Sequence, residues 1–243
     1  MSSLHLQSGE AVIIRDATLS DIPSMASIAS RAYFDTPLRD FLSPHRNQHR
    51  SDYERRFRQR MQARFVNPKS LSIVAVLASA PSHPVAYAQF VCTGDNPPVQ
   101  RHISHRDTYQ LRILSWYYWA QHRIADYFWP DRSADPKAVQ EFDAWGLQDE
   151  IKHWSAPERA NRWHAQSVVV APEWQRKGVG KMLMDFILER ARDDGMVVGL
   201  EASPEGEKLY SALGFQLLGR FNNTPHGVGG GGVMLWEPTS TTS

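Results

Sequence analysis

The chain is short of several things, and each shortage excludes something. It holds one cysteine, Cys92, so no disulfide can close within the chain and no cysteine-rich zinc site can be built. That suits a reducing compartment, and the expected location is cytoplasmic or nuclear. No run approaches the roughly 20 apolar residues of a membrane-spanning helix. The opening stretch MSSLHLQSGEAVIIRDA lacks the basic start and long apolar run of a signal peptide, and no membrane partner is expected. An excess of one charge is missing too: 27 Lys and Arg face 26 Asp and Glu. Nothing in that balance draws the whole molecule to nucleic acid, so any anion site must be local. His102, His105, His122 and His153 lack metal-ligand spacing with nearby carboxylates, and no metal is expected.

What is present reads as one domain with an insertion. Its expected span is 11–237, with the insertion at 95–162 and flexible tails at 1–10 and 238–243. AVIIRDA is a short strand. A helix follows on the spacing of Ile22, Met25, Ala26, Ala29, Ala32 and Tyr33, with Ser20 placed to cap it. Residues 45–64 form a basic helix, with seven arginines against Asp52 and Glu54. Such a run is either a solvated face or a surface for nucleic acid or an acidic partner; no nucleic acid is expected. SLSIVAVLAS and HPVAYAQFVCTG read as strands joined by an APSH turn.

After Gly94 the character changes. DNPPVQRHISHRD reads as a loop, and 109–128 as an aromatic helix with Tyr109, Ile113, Trp116, Tyr117, Ala120 and Ile124 on one face. Residues 130–162 are mixed, with Pro130, Pro136 and Pro157 as breakers. Six tryptophans crowd 95–163. They fit a second small core, an aromatic lid over a pocket, or a dimer surface. Regular pattern returns with the buried strand AQSVVVAP. An amphipathic helix through Val179, Met182, Leu183, Phe186 and Ile187 then ends at Gly195. MVVGLEAS, FQLLGRF and VMLWEP are strands, PEGEKLYSALGF is a short helix, and NNTPHGVGGGG is a mobile loop. Monomer and homodimer both remain open.

The informative stretch is SVVVAPEWQRKGVGKMLM. A helix start leaves backbone N–H groups bare at the positive end of the helix dipole, and such a turn cradles phosphate. Gly178 and Gly180 clear space, while Arg176 and Lys177 add charge at the mouth. The spacing excludes a Walker A loop and a dinucleotide fingerprint. A pyrophosphate turn remains. Cys92, on an apolar strand with no base nearby in sequence, reads as a structural thiol.

QRKGVG, Gln175 to Gly180, resembles the [QR]-x-x-G-x-[GA] signature of the Gcn5-related N-acetyltransferases (GNAT). LEASPEGEKLYSALGF resembles the second conserved block of that family at the right distance. The resemblance covers 163–237 well and 11–94 weakly, and leaves 95–162 uncovered. It implies an α/β fold: a mixed, mostly antiparallel sheet of about seven strands flanked by helices, here with an aromatic-rich helical insertion. It implies acetyl-CoA as donor, a primary amine as acceptor with a small molecule favoured, and direct attack in a ternary complex. A non-catalytic acyl-CoA sensor of the same fold is the alternative. Gln175, Arg176, Lys177, Gly178, Val179, Gly180 and Lys181 become the pyrophosphate site. Val168, Val169 and Val170 become the strand that pairs with the pantetheine arm. Ser203 and Gly206 stand where the family often has Asn and Ala, and are assigned to the donor. Tyr210 matches the tyrosine that protonates the leaving thiolate. His164, eleven residues before Gln175, and Glu201 are the candidate bases, beside a water relay without a single base.

Overall fold

Apolar side chains at successive positions of one strand need cover on both faces, and the fold supplies it. The computed structural model describes residues 3–5, 10–221, 223 and 231–238. The chain begins β1 (Ser3–His5), β2 (Ala11–Asp16), α1 (Ile22–Ala32), α2 (Pro37–Leu42), α3 (Arg50–Phe65), β3 (Ser70–Leu77), β4 (Ala80–Thr93). It continues α4 (Pro97–Arg106), α5 (Tyr109–Phe128), α6 (Pro136–Trp154), β5 (Arg162–Val170), α7 (Val179–Asp194). It closes with β6 (Val197–Ala202), α8 (Glu207–Ala212), β7 (Gln216–Arg220) and β8 (Gly232–Trp236).

The strands form one sheet in the order β1-β2-β3-β4-β5-β6-β8-β7. Only the β5–β6 pair is parallel. On β3, Ile73 and Ala75 face the cluster built on α7, while Val74 and Val76 face α1 and α3. Both helical layers follow their sequence spacing. Ile22, Met25, Ala26 and Ala29 of α1 are buried with Tyr53, Phe57 and Met61 of α3. Val179, Leu183 and Ile187 of α7 are buried on the other face, each contributing about 1.5–3 kcal/mol by burial. Gly195 ends α7 in the left-handed region at φ 61°, as its position requires.

Several expectations are corrected. Ser3–His5, read as part of a loose arm, pairs antiparallel with β2 as an edge strand of the sheet. Ser20 does not cap α1: its hydroxyl lies 2.8 Å from that of Thr18, and Asp21 accepts from the Thr18 N–H and hydroxyl instead. The basic helix starts at Arg50 rather than 45. The APSH stretch belongs to β4, and the chain turns at residues 78–79.

The insertion holds three helices. The stretch read as a loop is α4: Asn96 accepts from the Val99 N–H at 3.1 Å, and Pro97 and Pro98 occupy first-turn positions where no N–H is needed. Pro136 likewise starts α6 behind Asp135, whose side chain accepts from the Lys137 N–H. The aromatic face of α5 is not a core, because none of that helix's residues is buried. Trp116, Trp119 and Trp129 are exposed, whereas Trp154 and Trp163 are buried. The glycine-rich loop falls largely outside the described residues. So do the C-terminal tail beyond 238 and residues 1–2 and 6–9.

Candidate active site

The site begins where β5 leaves β6. The two strands pair from Arg162↔Val197 to Ala165↔Leu200 and then part. On its other side β5 stays paired with β4 as far as Val170, across a bulge that leaves Gln166 without a partner. Among the described residues no strand pairs with the β6-facing side of β5 beyond Ala165, which leaves an open strand edge there. It can take an extended ligand as an added strand. Val168, Val169 and Val170 lie on this stretch, Val169 packing toward α1 and α3 and the other two toward α7.

The edge leads directly to the turn. Gln175 folds back, its side-chain N–H donating to the Val170 carbonyl at 3.1 Å, so it ties the turn to the strand end. Arg176 is held at φ 62° and Gly178 at φ 84°. The first is unusual for a side-chain-bearing residue and the second natural for glycine. Gly178 precedes α7 with no side chain capping the helix, so the first-turn N–H groups stay free. Arg176 and Lys177 are exposed, Lys177 Nζ standing 4.6 Å over the Trp174 ring. Lys181, one turn on, pairs with Asp185 at 2.7 Å. A Cβ at Gly180 would stand in ordinary contact with Leu209 and Val170, at 3.4 and 3.6 Å, so α8 and β5 border the turn. From β1, Leu4 reaches within 3.5 Å of where a Cβ of Gly178 would stand.

His164 and Glu201 meet at the fork. His164 Nε2 lies 2.8 Å from Glu201 Oε2. The Arg162 Nε–H points at His164 Nδ1 from 3.5 Å. Trp154, at the end of α6, donates its indole N–H to Glu201 Oε1 at 3.0 Å. Burial pushes the Glu201 carboxyl up, but the hydrogen bonds from His164 and Trp154 outweigh it and hold the group below the usual carboxylate range. Its side chain keeps 40% of its surface open, against 12% for His164.

Residues 143–217 match the Acetyltransferase (GNAT) domain family. The matched stretch includes Gln175 to Gly180 and Tyr210. The chain shares its fold with a Corynebacterium glutamicum protein described as histone acetyltransferase HPA2 and related acetyltransferase. The TM-score is 0.60 and identity 17%, over 96% of this chain and 99% of the other. The PH1933 protein of Pyrococcus horikoshii gives a TM-score of 0.52 at 12% identity, over 93% and 98% of the two chains. No curated protein matches the chain by sequence.

Within the matched residues Tyr210 packs its ring on Phe215, with centroids 5.7 Å apart. A Cβ at Gly206 would sit 3.0 Å from Tyr210 Cε2, so the glycine leaves the ring more room. Burial raises the Tyr210 pKa, the nearby Tyr33 adds to it, and the hydroxyl keeps its proton. Ser203 accepts from the Gly206 N–H at 3.2 Å and shapes the start of α8. Cys92 is buried, its thiol pushed up to about 11 by burial and donating to the Lys69 carbonyl, which fits a structural role.

Some neighbours of the site were not legible in sequence. Trp154 covers Gly199 so closely that a Cβ there would lie 2.4 Å from its ring. The insertion is thereby anchored against β6 at the fork. Tyr33, at the end of α1, acts on both Tyr210 and Tyr87. The Tyr87 hydroxyl lies 3.0 Å from that of Ser167 on the open edge.

Proposed function

We propose that the chain, as a single domain running from β1 to β8, is an acetyl-CoA-dependent N-acetyltransferase. It would move the acetyl group to a primary amine of a small molecule by direct attack in a ternary complex. The observation that carries this reading is the open edge of β5 running into an uncapped helix start at Gly178. Backbone groups for an amide-bearing arm lead straight to N–H groups for a diphosphate. The fit rests on the free N–H groups of the first turn of α7 and on the space kept by Gly178 and Gly180.

The donor supplies an activated acetyl thioester. The chain's residues then have three tasks. The edge from Gln166 to Val170 holds the arm extended. Glu201, kept ionised and open to solvent, takes the proton that an ammonium must lose, directly or through water, and His164 orients it. Tyr210 gives its proton to sulfur as the C–N bond forms and the C–S bond breaks. It recovers one from the new amide nitrogen through water. One amine and one thioester become an amide and a thiol, with one proton released from the starting ammonium.

The test is thiol release from acetyl-CoA over a panel of amines, with donor binding followed separately by the rise in melting temperature. Saturating donor at 100 times its dissociation constant stabilises by about 2.7 kcal/mol. Tyr210→Phe is expected to lower kcat about 100-fold with little change in donor affinity. An unchanged kcat would remove Tyr210 from the mechanism. Donor binding without turnover on any amine would favour a non-catalytic sensor.

A further inference from the structure

The chain pairs its structural arginines. Arg15 forks onto Asp21 with both contacts at 2.8 Å, Arg162 reaches Glu150 at 2.9 Å, and Arg46 is held by Asp40 and three carbonyls. Arg39 of α2 and Arg60 and Arg64 of α3 break this pattern. Among the described residues none of the three forms an ion pair or a side-chain hydrogen bond. The buried Nε–H of Arg39 has no acceptor at all. Its guanidinium stands 4.8 Å from the Phe57 ring centroid and 5.7 Å from that of Tyr33, contacts that leave its N–H fork unused.

Arg60 and Arg64 are four residues apart, on one face of α3, where like charges repel. Arg60 is exposed and Arg64 part-buried, and they lie three and seven residues beyond Phe57, on the helix face where Arg39 stands over the Phe57 ring. Burial holds Arg39 and Arg60 below the usual arginine range and Arg64 at about 10, and Arg60 depresses both of its neighbours further. The carboxylate acting on Arg60, Asp143 of α6, is the weakest influence on it and forms no ion pair with it. Three guanidinium groups without ion-pair partners repel one another until an anion joins them. Their planar forks match the oxygens of a carboxylate or a phosphate.

Their position gives the cluster a use. Tyr33 and Phe57, over which Arg39 stands, share one buried cluster with Tyr87 and Val169. The Tyr87 hydroxyl lies 3.0 Å from that of Ser167 on the open edge of β5. The cluster thus lies on the α1–α3 face of the sheet, beside the strand assigned to the donor arm. Resting on the transferase reading above, we propose that Arg39, Arg60 and Arg64 form an anion subsite of the acceptor pocket. The acceptor is then a small amine that also carries a carboxylate or phosphate group.

The test uses amines matched except for the anion: β-alanine against propylamine, tyrosine against tyramine, O-phosphoethanolamine against ethanolamine. Thiol release from acetyl-CoA is followed with the full chain. At least one anionic member is expected to exceed its neutral partner tenfold or more in kcat/KM, and the carboxylate and phosphate arms tell the two groups apart. Arg60→Gln and Arg64→Gln should each raise KM for that amine about tenfold, Arg60→Lys should restore part of the loss, and the melting shift caused by acetyl-CoA should not change. Neutral amines used as well as anionic ones would overturn the subsite and leave the transferase standing. Variants that lower the melting temperature without changing the acceptor KM would assign the arginines to the fold and overturn it too. Absence of both donor binding and thiol release would instead remove the transferase reading, and the subsite with it.

Discussion

Gly178 carries two constraints in one residue. Its φ of +84° suits glycine alone, and its place ahead of α7 keeps the helix N–H groups bare. Gly178→Ala is expected to destabilise the fold by about 1 kcal/mol through the backbone alone. Gly178→Glu adds a negative charge where the diphosphate would bind and should abolish donor binding while the chain still folds. Calorimetric titration with acetyl-CoA checks this, beside a thermal melt of the free protein. A glutamate variant that bound donor as tightly as the wild type would move the phosphate turn elsewhere. Gly199 answers to a different demand, the tight seat of Trp154 on β6, which fixes the indole that holds Glu201.

At the scale of elements, the insertion shows how capping outranks the usual reading of proline. α4 rests on the Asn96 cap followed by two prolines, so Asn96→Ala should cost about 1 kcal/mol, read as a lowered urea midpoint. The same point explains what was legible beforehand. α1, β3 and α7 were readable because burial periodicity ran along one contiguous segment. α4 and α6 were not, because Pro97 and Pro136 look like breakers until the cap before them is recognised. The phosphate turn was readable because Gln175 to Gly180 are consecutive and their chemistry is largely backbone. His164 and Glu201 could be nominated singly, but their 2.8 Å pairing depends on the parallel register of β5 and β6. Arg39, Arg60 and Arg64 were the hardest to see, since a run of arginines on a helix looks the same whether it faces water or a pocket.

For the whole molecule, stability at low pH follows from carboxylates spent on arginine. Burial pushes the Asp21 carboxyl up, but Arg15 and Thr18 outweigh it and hold the group below the ordinary value. Arg132 holds Asp52 low as well, with Arg55 assisting. A carboxyl depressed in the folded state stabilises fully above its unfolded pKa of about 3.9. That contribution is lost as pH falls through the lower folded value. The urea midpoint should therefore be flat near neutrality and fall steeply below about pH 4. Asp21→Asn should be less stable by about 2 kcal/mol at pH 7 and should show a shallower acid limb. Equal acid limbs in the two proteins would show that Asp21 is not a source of the effect. A separate consequence follows from β1. Because that strand brings Leu4 against Gly178, β1 forms a wall of the turn assigned to the donor. A small fluorophore on the cysteine of a Leu4→Cys variant would therefore report the occupancy of that turn.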